Sequence, residues 1–193
     1  MAELLRTHPL EAWSAAFASL PQSVGITVEP FVALVDVRLG TPDAEASARL
    51  GVRLPTTPNT WVPTDGGRAV WLGPDEWLLT SATDAPEKLE ARVRAAVAPL
   101  GGSATDVSAQ RIALRLRGTR VRDVLVKGCS IDLHPRVFGR GSSAQSTIGL
   151  AGVVLLALSD GGDDYVVLVR SSFAGYLADW LLDAALEFTA QHG

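Results

Sequence analysis

Arg68-Ala69-Val70-Trp71-Leu72-Gly73-Pro74-Asp75-Glu76-Trp77-Leu78-Leu79-Thr80 decides the fold class of this chain. Proline presets its torsion at a turn and aspartate can bond its own backbone, so Gly73-Pro74-Asp75 predicts the bend of a β-hairpin. Its strands are Arg68 to Leu72 and Glu76 to Thr80, with Trp71 and Trp77 flanking the turn. A helix follows. Asp84 stands three residues before Glu87, the spacing of a capping box, and Leu89, Val93, Ala96, Val97 and Leu100 recur at helical intervals until Gly101-Gly102.

Upstream, Ile26 to Leu39 alternates, with Phe31, Ala33, Val35, Val37 and Leu39 on one face, and predicts a single strand. Gly40-Thr41-Pro42-Asp43 ends it, an Ala-rich segment through Leu50 reads as helical, and Pro55, Pro58 and Pro63 predict a loop. Downstream, Ile112, Leu114 and Leu116 alternate as a strand. Gly118 then opens a short helix carrying Val121, Val124 and Leu125, which Gly128 stops. Gly139 to Ser146 reads as a flexible connection. A strand ending near Leu158, an Asp160-Gly161-Gly162-Asp163 turn and a strand from Tyr165 to Arg170 follow. Ser171 or Ser172 is the predicted cap of a last helix whose stripe is Phe173, Leu177, Trp180, Leu181, Ala184 and Phe188.

Strands and a hairpin followed by an amphipathic helix thus occur twice, a pseudo-repeat in element order. The expectation is an α+β fold of mainly antiparallel sheets with packed helices. It would comprise an N-terminal segment at 1–23, a first half at 24–102 and a second at 103–190, packed as one compact unit.

Composition narrows the function. The chain has 193 residues, 47% of them apolar and 20% charged, which suits one cooperative core. A net charge of -4 with dispersed arginines supplies no basic stripe for nucleic acid and no match to an anionic membrane. The single cysteine, Cys129, precludes a disulfide framework and argues for a reducing compartment. The start, with Glu3 and then His8-Pro9, is not a secretory signal. Leu150 to Leu158 is too short to span about 30 Å of hydrocarbon. The expected location is the cytoplasm.

No residue set composes a catalytic centre. His8, His134 and His192 are scattered, without zinc spacing. Cys129 follows Gly128 at a predicted helix end, where the dipole disfavours a thiolate. No serine sits in a nucleophile elbow. Gly139 to Ser146 lacks the ending of a P-loop, and no dinucleotide fingerprint occurs. Asp106 and Ser108, ahead of a strand, are turn residues first and substrate contacts second. The tryptophans, without a positive groove, are read as core or interface anchors, and the sequence does not choose between the two. Trp71, Trp77, Phe173, Tyr176 and Trp180 are the candidates.

Four stretches together resemble one family: Trp71-Leu72-Gly73-Pro74-Asp75-Glu76-Trp77-Leu78-Leu79, Asp106-Val107-Ser108-Ala109-Gln110-Arg111, Leu125-Val126-Lys127-Gly128-Cys129-Ser130-Ile131-Asp132-Leu133 and Ser171-Ser172-Phe173-Ala174-Gly175-Tyr176-Leu177-Ala178-Asp179-Trp180-Leu181. The family is the gamma subunit of heterotetrameric sarcosine oxidase, and the likeness runs from about Val24 to the C-terminus. It implies a fold similar to the tetrahydrofolate-binding aminomethyltransferase modules related to the glycine-cleavage T-protein. It also implies a non-catalytic role, burying apolar surface against larger subunits. In such complexes FAD and covalent FMN belong to beta and its boundary with alpha, NAD and a folate module to alpha, and zinc to delta. None is expected on this chain. The reaction is oxidative demethylation of sarcosine to glycine, with hydrogen peroxide and formaldehyde or methylenetetrahydrofolate. The alternative is a stand-alone tetrahydrofolate-dependent one-carbon enzyme or folate-binding module. Asp106 would be its only acidic nomination, in a chain much shorter than full-length T-proteins.

Overall fold

Glu29-Pro30 breaks the alternating run from Ile26 to Leu39 into two strands, β1 (Gly25–Val28) and β2 (Ala33–Arg38), which enter different sheets. Proline has no N–H to give a ladder, so the run cannot stay paired through it. The single strand expected here is therefore corrected. Ala33, Val35, Val37 and Leu39 are buried as anticipated, whereas Phe31 lies in the connection and is 52% exposed. The computed structural model describes residues 8–189; the start of the chain and His192 lie outside them.

Around these strands the elements are α1 (Ser14–Ala18), α2 (Ala44–Leu50), β3 (Trp61–Thr64), β4 (Gly67–Gly73), β5 (Glu76–Ser81), α3 (Pro86–Val97), β6 (Ser103–Asp106) and β7 (Arg111–Arg117). Then come α4 (Val121–Leu125), β8 (Ser143–Ile148), β9 (Ala151–Ala157), β10 (Asp164–Arg170), a 3-10 turn at Ser171–Phe173 and α5 (Ala174–Thr189). Asp43 caps α2, its Oδ1 accepting from Ala46 N at 2.8 Å. The tryptophan hairpin forms, with Trp71 opposite Trp77.

Four local expectations are corrected. The Pro-rich stretch is not all loop: β3 contains Pro63 and is an edge strand, where the missing donor is tolerated. Asp84 does not cap α3; Ala85 precedes it with Pro86 at its first turn, and the Asp84 carboxylate takes Arg92 instead, at 2.9 Å. The last half of the Gly139 to Ser146 stretch opens strand β8, whose first residue gives its N–H to the Asn59 carbonyl, and the rest is pinned by Trp61 N–H to the Gly141 carbonyl. Ser171 does not cap the last helix, because its hydroxyl reaches the Ala109 and Gln110 carbonyls.

All strand pairs are antiparallel, and they build two five-stranded sheets ordered β3-β4-β5-β2-β6 and β1-β7-β10-β9-β8. The sheets divide the chain differently from the expected halves: Gly25–Val28 joins the strands from Arg111 onward, and Ser103–Asp106 joins those of 33–81. One core lies between the sheets, where Leu34, Val70 and Leu78 meet Val154, Val166 and Leu168. A second packs α2 and α3 on the outer face of the first sheet, and a third packs α1, α4 and α5 on that of the other. Four layers result. Strands buried on both faces need apolar residues at every position, which is why Val153 to Ala157 and Tyr165 to Val169 read as continuous apolar runs.

Tyr165 lies in the core between the second sheet and its helices with 0% exposure, and its hydroxyl has no hydrogen-bond partner. Burial pushes its pKa from 10.0 up to about 12. Tyr165→Phe is expected to leave stability at pH 7 unchanged or raise it by up to about 1 kcal/mol, since an unsatisfied buried hydroxyl is lost. The folded value lies above the unfolded one, so this group's contribution is full below pH 10 and vanishes as pH rises toward 12. Urea titrations from pH 8 to 11.5 would show the variant losing less stability at the alkaline end. Destabilisation at pH 7 of more than about 1 kcal/mol would mean that the hydroxyl has a partner.

Candidate functional site

Two connections cross between the sheets side by side, residues 29–32 after β1 and 107–110 after β6. Each is tied to a strand: Val107 N–H donates to the Leu34 carbonyl of β2 at 2.8 Å, and Glu29 N–H to the Ala113 carbonyl of β7 at 2.9 Å. A cavity of about 370 Å³ opens there, lined by both connections, by the start of α3 at Pro86 and Glu87, and by His8. The size and the mixed lining suit a small-molecule pocket.

Asp106 lines this cavity. Its Oδ1 accepts from Ser108 N–H at 2.9 Å and from the Ser108 hydroxyl at 2.6 Å, while Ser108 Oγ accepts from Leu34 N–H at 2.8 Å. The turn role predicted for Asp106 and Ser108 is present, and both residues line the cavity. Sequence reasoning missed Glu29, Phe31, His8 and Arg111 as its companions. Glu29-Pro30 was the available signal, since a break in an alternating run marks a crossing. Burial lowers the pKa of His8, and the Phe31 ring sits 5.2 Å from its imidazole. Burial also lowers the pKa of Arg111, with Arg170 adding to the effect.

The aromatic candidates separate into core and surface. Trp77 is 1% exposed and donates from Nε1 to the Pro55 carbonyl at 2.7 Å; Trp71 is half-buried against the same core. Trp180 is half-buried over the backbone of Gly128 and Gly149; a Cβ on Gly128 would clash with its ring, and one on Gly149 would crowd it. Tyr176 accepts through its hydroxyl from Leu150 N–H at 3.0 Å and stands edge-on to Phe173. Phe173, Tyr176 and Leu150 are exposed, and Trp13 adds its indole, bonded to Asp179 at 2.7 Å, along the same helix. One end of α5 thus presents a small aromatic surface propped on glycines.

Cys129 is half-buried beside Ser146, with Sγ 3.9 Å from its hydroxyl. Among the described residues no group of three or more His, Cys, Asp or Glu side chains could hold a metal ion. No helix of the described residues is long and apolar enough to cross a membrane.

Comparison with known proteins agrees along nearly the whole chain. The sarcosine oxidase gamma subunit family matches residues 40–187. Sarcosine oxidase subunit gamma of Corynebacterium sp. (strain U-96) is 34% identical over 187 residues, spanning 95% of this chain and 89% of the relative. That of Arthrobacter sp. is 35% identical over 194 residues, at 96% and 93%. A chain of the heterotetrameric sarcosine oxidase from Corynebacterium sp. U-96, solved with pyrrole 2-carboxylate, superimposes with a TM-score of 0.85 and 30% identity, covering 97% of this chain and 98% of that one. Glycine cleavage system aminomethyltransferase T from Bartonella henselae shares the fold alone, with a TM-score of 0.61 and 13% identity over 88% of this chain and 48% of that one. On these matches the chain belongs to the sarcosine oxidase gamma subunit family.

Proposed function

We propose that this chain is a non-catalytic structural subunit of a heterotetrameric, cytoplasmic sarcosine oxidase. That enzyme would oxidatively demethylate sarcosine to glycine, with hydrogen peroxide and formaldehyde or methylenetetrahydrofolate. The observation that carries the reading is the end-to-end superposition on a chain of such an enzyme, which leaves almost nothing of either chain unmatched. Alpha, beta and delta subunits would be the partners, and FAD, FMN, NAD, zinc and tetrahydrofolate would reside on them. This chain's part is contact. Phe173, Tyr176 and Leu150 offer a partner the exposed apolar anchors that dominate binding energy at interfaces.

The strand orders also support a repeated plan. Reading the second sheet as β8-β9-β10-β7-β1 beside β3-β4-β5-β2-β6 pairs each strand with a counterpart, and α4 and α5 with α2 and α3. We take the two sheets as copies of one T-protein-like unit.

Co-expression of this chain with the alpha, beta and delta chains of its host tests the proposal. The expected result is one stoichiometric flavin-containing complex that oxidises sarcosine, from which Phe173→Ser with Leu150→Ser sheds this chain while the isolated double variant keeps its thermal midpoint. A folded, isolated chain that binds tetrahydrofolate through Asp106 and joins no flavoprotein would replace the proposal with the stand-alone folate reading.

A further inference from the structure

The edges of the two sheets meet where β3 passes the residues before β8. Thr60 pairs with Ser142 as an antiparallel bridge, Trp61 N–H donates to the Gly141 carbonyl at 2.9 Å, and Ser143 N–H donates to the Asn59 carbonyl at 2.8 Å. Asn59 has φ 58 and Gly141 φ 87, left-handed conformations that asparagine and glycine accept and that these bonds hold in place. A groove of about 660 Å³ follows this seam, lined by residues 52–57, 60–63 and 140–142. Pro55 is fixed there by its carbonyl, which accepts from Trp77 Nε1 at 2.7 Å. The walls are backbone already ordered, so a ligand settles without the entropic cost of organising a loop.

The lining of the groove contains two arginines, Arg53 and Arg140, and no aspartate or glutamate, in a chain whose net charge is -4. Both arginines are exposed, and among the described residues neither has a carboxylate within ion-pair reach. The acids beside them are engaged with backbone. Asp160 accepts the N–H of Arg140 at 3.1 Å, and Asp43, which borders a neighbouring hollow together with Arg53, accepts from Ala46 N–H at 2.8 Å. Arg140 also borders a second space that holds Glu29 and Asp164, but these pair with Arg68 at 3.6 Å and with Arg115 at 2.8 Å.

Such a groove attracts an anion, and the rest of its lining decides which kind. A small oxyanion gains little at two exposed arginines, because water and salt screen the pair. A nucleic-acid strand carries a phosphate at every nucleotide and needs a longer run of cations. An acidic peptide adds apolar contact with Pro55, Val62 and Pro63 to its carboxylates, and Thr56 and Thr57 offer it exposed hydroxyl donors. Its own bulk also excludes water from the two arginines, which strengthens both pairs.

We propose that this groove docks an acidic segment of a partner subunit, whose carboxylates meet Arg53 and Arg140 while its apolar side chains lie on Pro55, Val62 and Pro63. Which chain carries that segment rests on the subunit reading; the chemistry of the groove does not.

Arg53→Lys and Arg140→Lys keep the charge and introduce amines that a carbodiimide joins to a carboxylate in contact. In the complex co-expressed with the alpha, beta and delta chains, the expected product is a covalent link from position 53 or 140 to an aspartate or glutamate of another subunit, located by mass spectrometry. Arg53→Glu together with Arg140→Glu is expected to weaken assembly at least about tenfold, while the isolated double variant keeps its thermal midpoint because neither side chain is buried. On the isolated full-length chain, labelled hexaglutamate is the probe. Its binding is expected to fall with added salt and to weaken at least about fivefold when Arg53→Gln and Arg140→Gln are combined. Amines at both positions that stay open to acetylation in the assembled complex, undiminished assembly by the double glutamate variant, tighter binding of inorganic phosphate or of a thymidine hexanucleotide than of hexaglutamate, or hexaglutamate binding untouched by the double glutamine variant would each overturn the proposal. A parent chain that joins no complex sinks the subunit reading, and the hexaglutamate titration still decides this one.

Discussion

Trp77→Ala is expected to destabilise the protein by about 3–5 kcal/mol, the range for deleting a large aromatic from a packed core. The indole is 1% exposed and packs with Val35, Val37, Leu54 and Leu79, so its removal empties a space that β2 and β5 cannot close without breaking their ladder. A second loss is added. Trp77 Nε1 donates to the Pro55 carbonyl at 2.7 Å, the bond that holds the proline-rich chain before β3 against the sheet. Trp77→Phe keeps most of the volume and removes only that donor, with an expected cost of about 1–2 kcal/mol. Urea unfolding at constant m-value distinguishes them. An alanine variant less than about 1 kcal/mol below the parent would mean that the ring does not carry this core.

Gly128→Ala is expected to cost about 2–4 kcal/mol, and to cost much less when Trp180 is already replaced. A Cβ on Gly128 would stand 2.4 Å from Trp180 Cζ2 and 3.0 Å from Gly149 N. The backbone neighbour cannot yield, because Gly149 N–H donates to the Gly128 carbonyl at 3.1 Å. The indole must move instead, away from the seat it has between α5 and the β8–β9 turn. Gly149 has φ +56 and a Cβ there would lie 2.6 Å from the Tyr176 hydroxyl, so the same seat holds Tyr176. The double cycle of Gly128→Ala and Trp180→Phe measures the coupling. Additive losses would show that the ring and the glycine do not meet. Loss of coupling together with loss of partner binding would connect the glycine seat to the exposed Phe173 and Tyr176.

The hairpin, the antiparallel sheets and the helices at 44–50, 86–97, 121–125 and 174–189 were legible because their signals are local: turn chemistry, alternation and 3.6-residue spacing. What escaped was whatever depended on a distant partner. Ser171 looks like a helix cap until the Ala109 and Gln110 carbonyls arrive beside it. Ser143 to Ser146 is polar enough to read as loop, and is strand because β9 pairs with it. Phe31 continues an alternation that Pro30 has already ended. The cavity failed to appear for the same reason, since His8, Glu29, Glu87 and the stretch from Asp106 to Arg111 lie far apart in the chain and only the crossing of two connections gathers them. Of its residues Asp106 and Ser108 alone were nominated, through a turn motif. The aromatic candidates were found by type, but which of them are core and which are surface is settled by packing, not by spacing.

Strands β1 and β7 are neighbours in one ladder, Val28 facing Leu114, yet everything from β2 to β6 lies between them in the chain. Topologically the second sheet contains a hairpin whose loop is an entire folded unit. Closing a disordered loop of that length carries an entropic cost on the order of 4 kcal/mol, which shrinks once the intervening residues have already collapsed into their own sheet with adjacent ends. The inserted unit thus acts as a clasp: its completion brings the first strand to its place, and the outer layer of the neighbouring sheet waits on it.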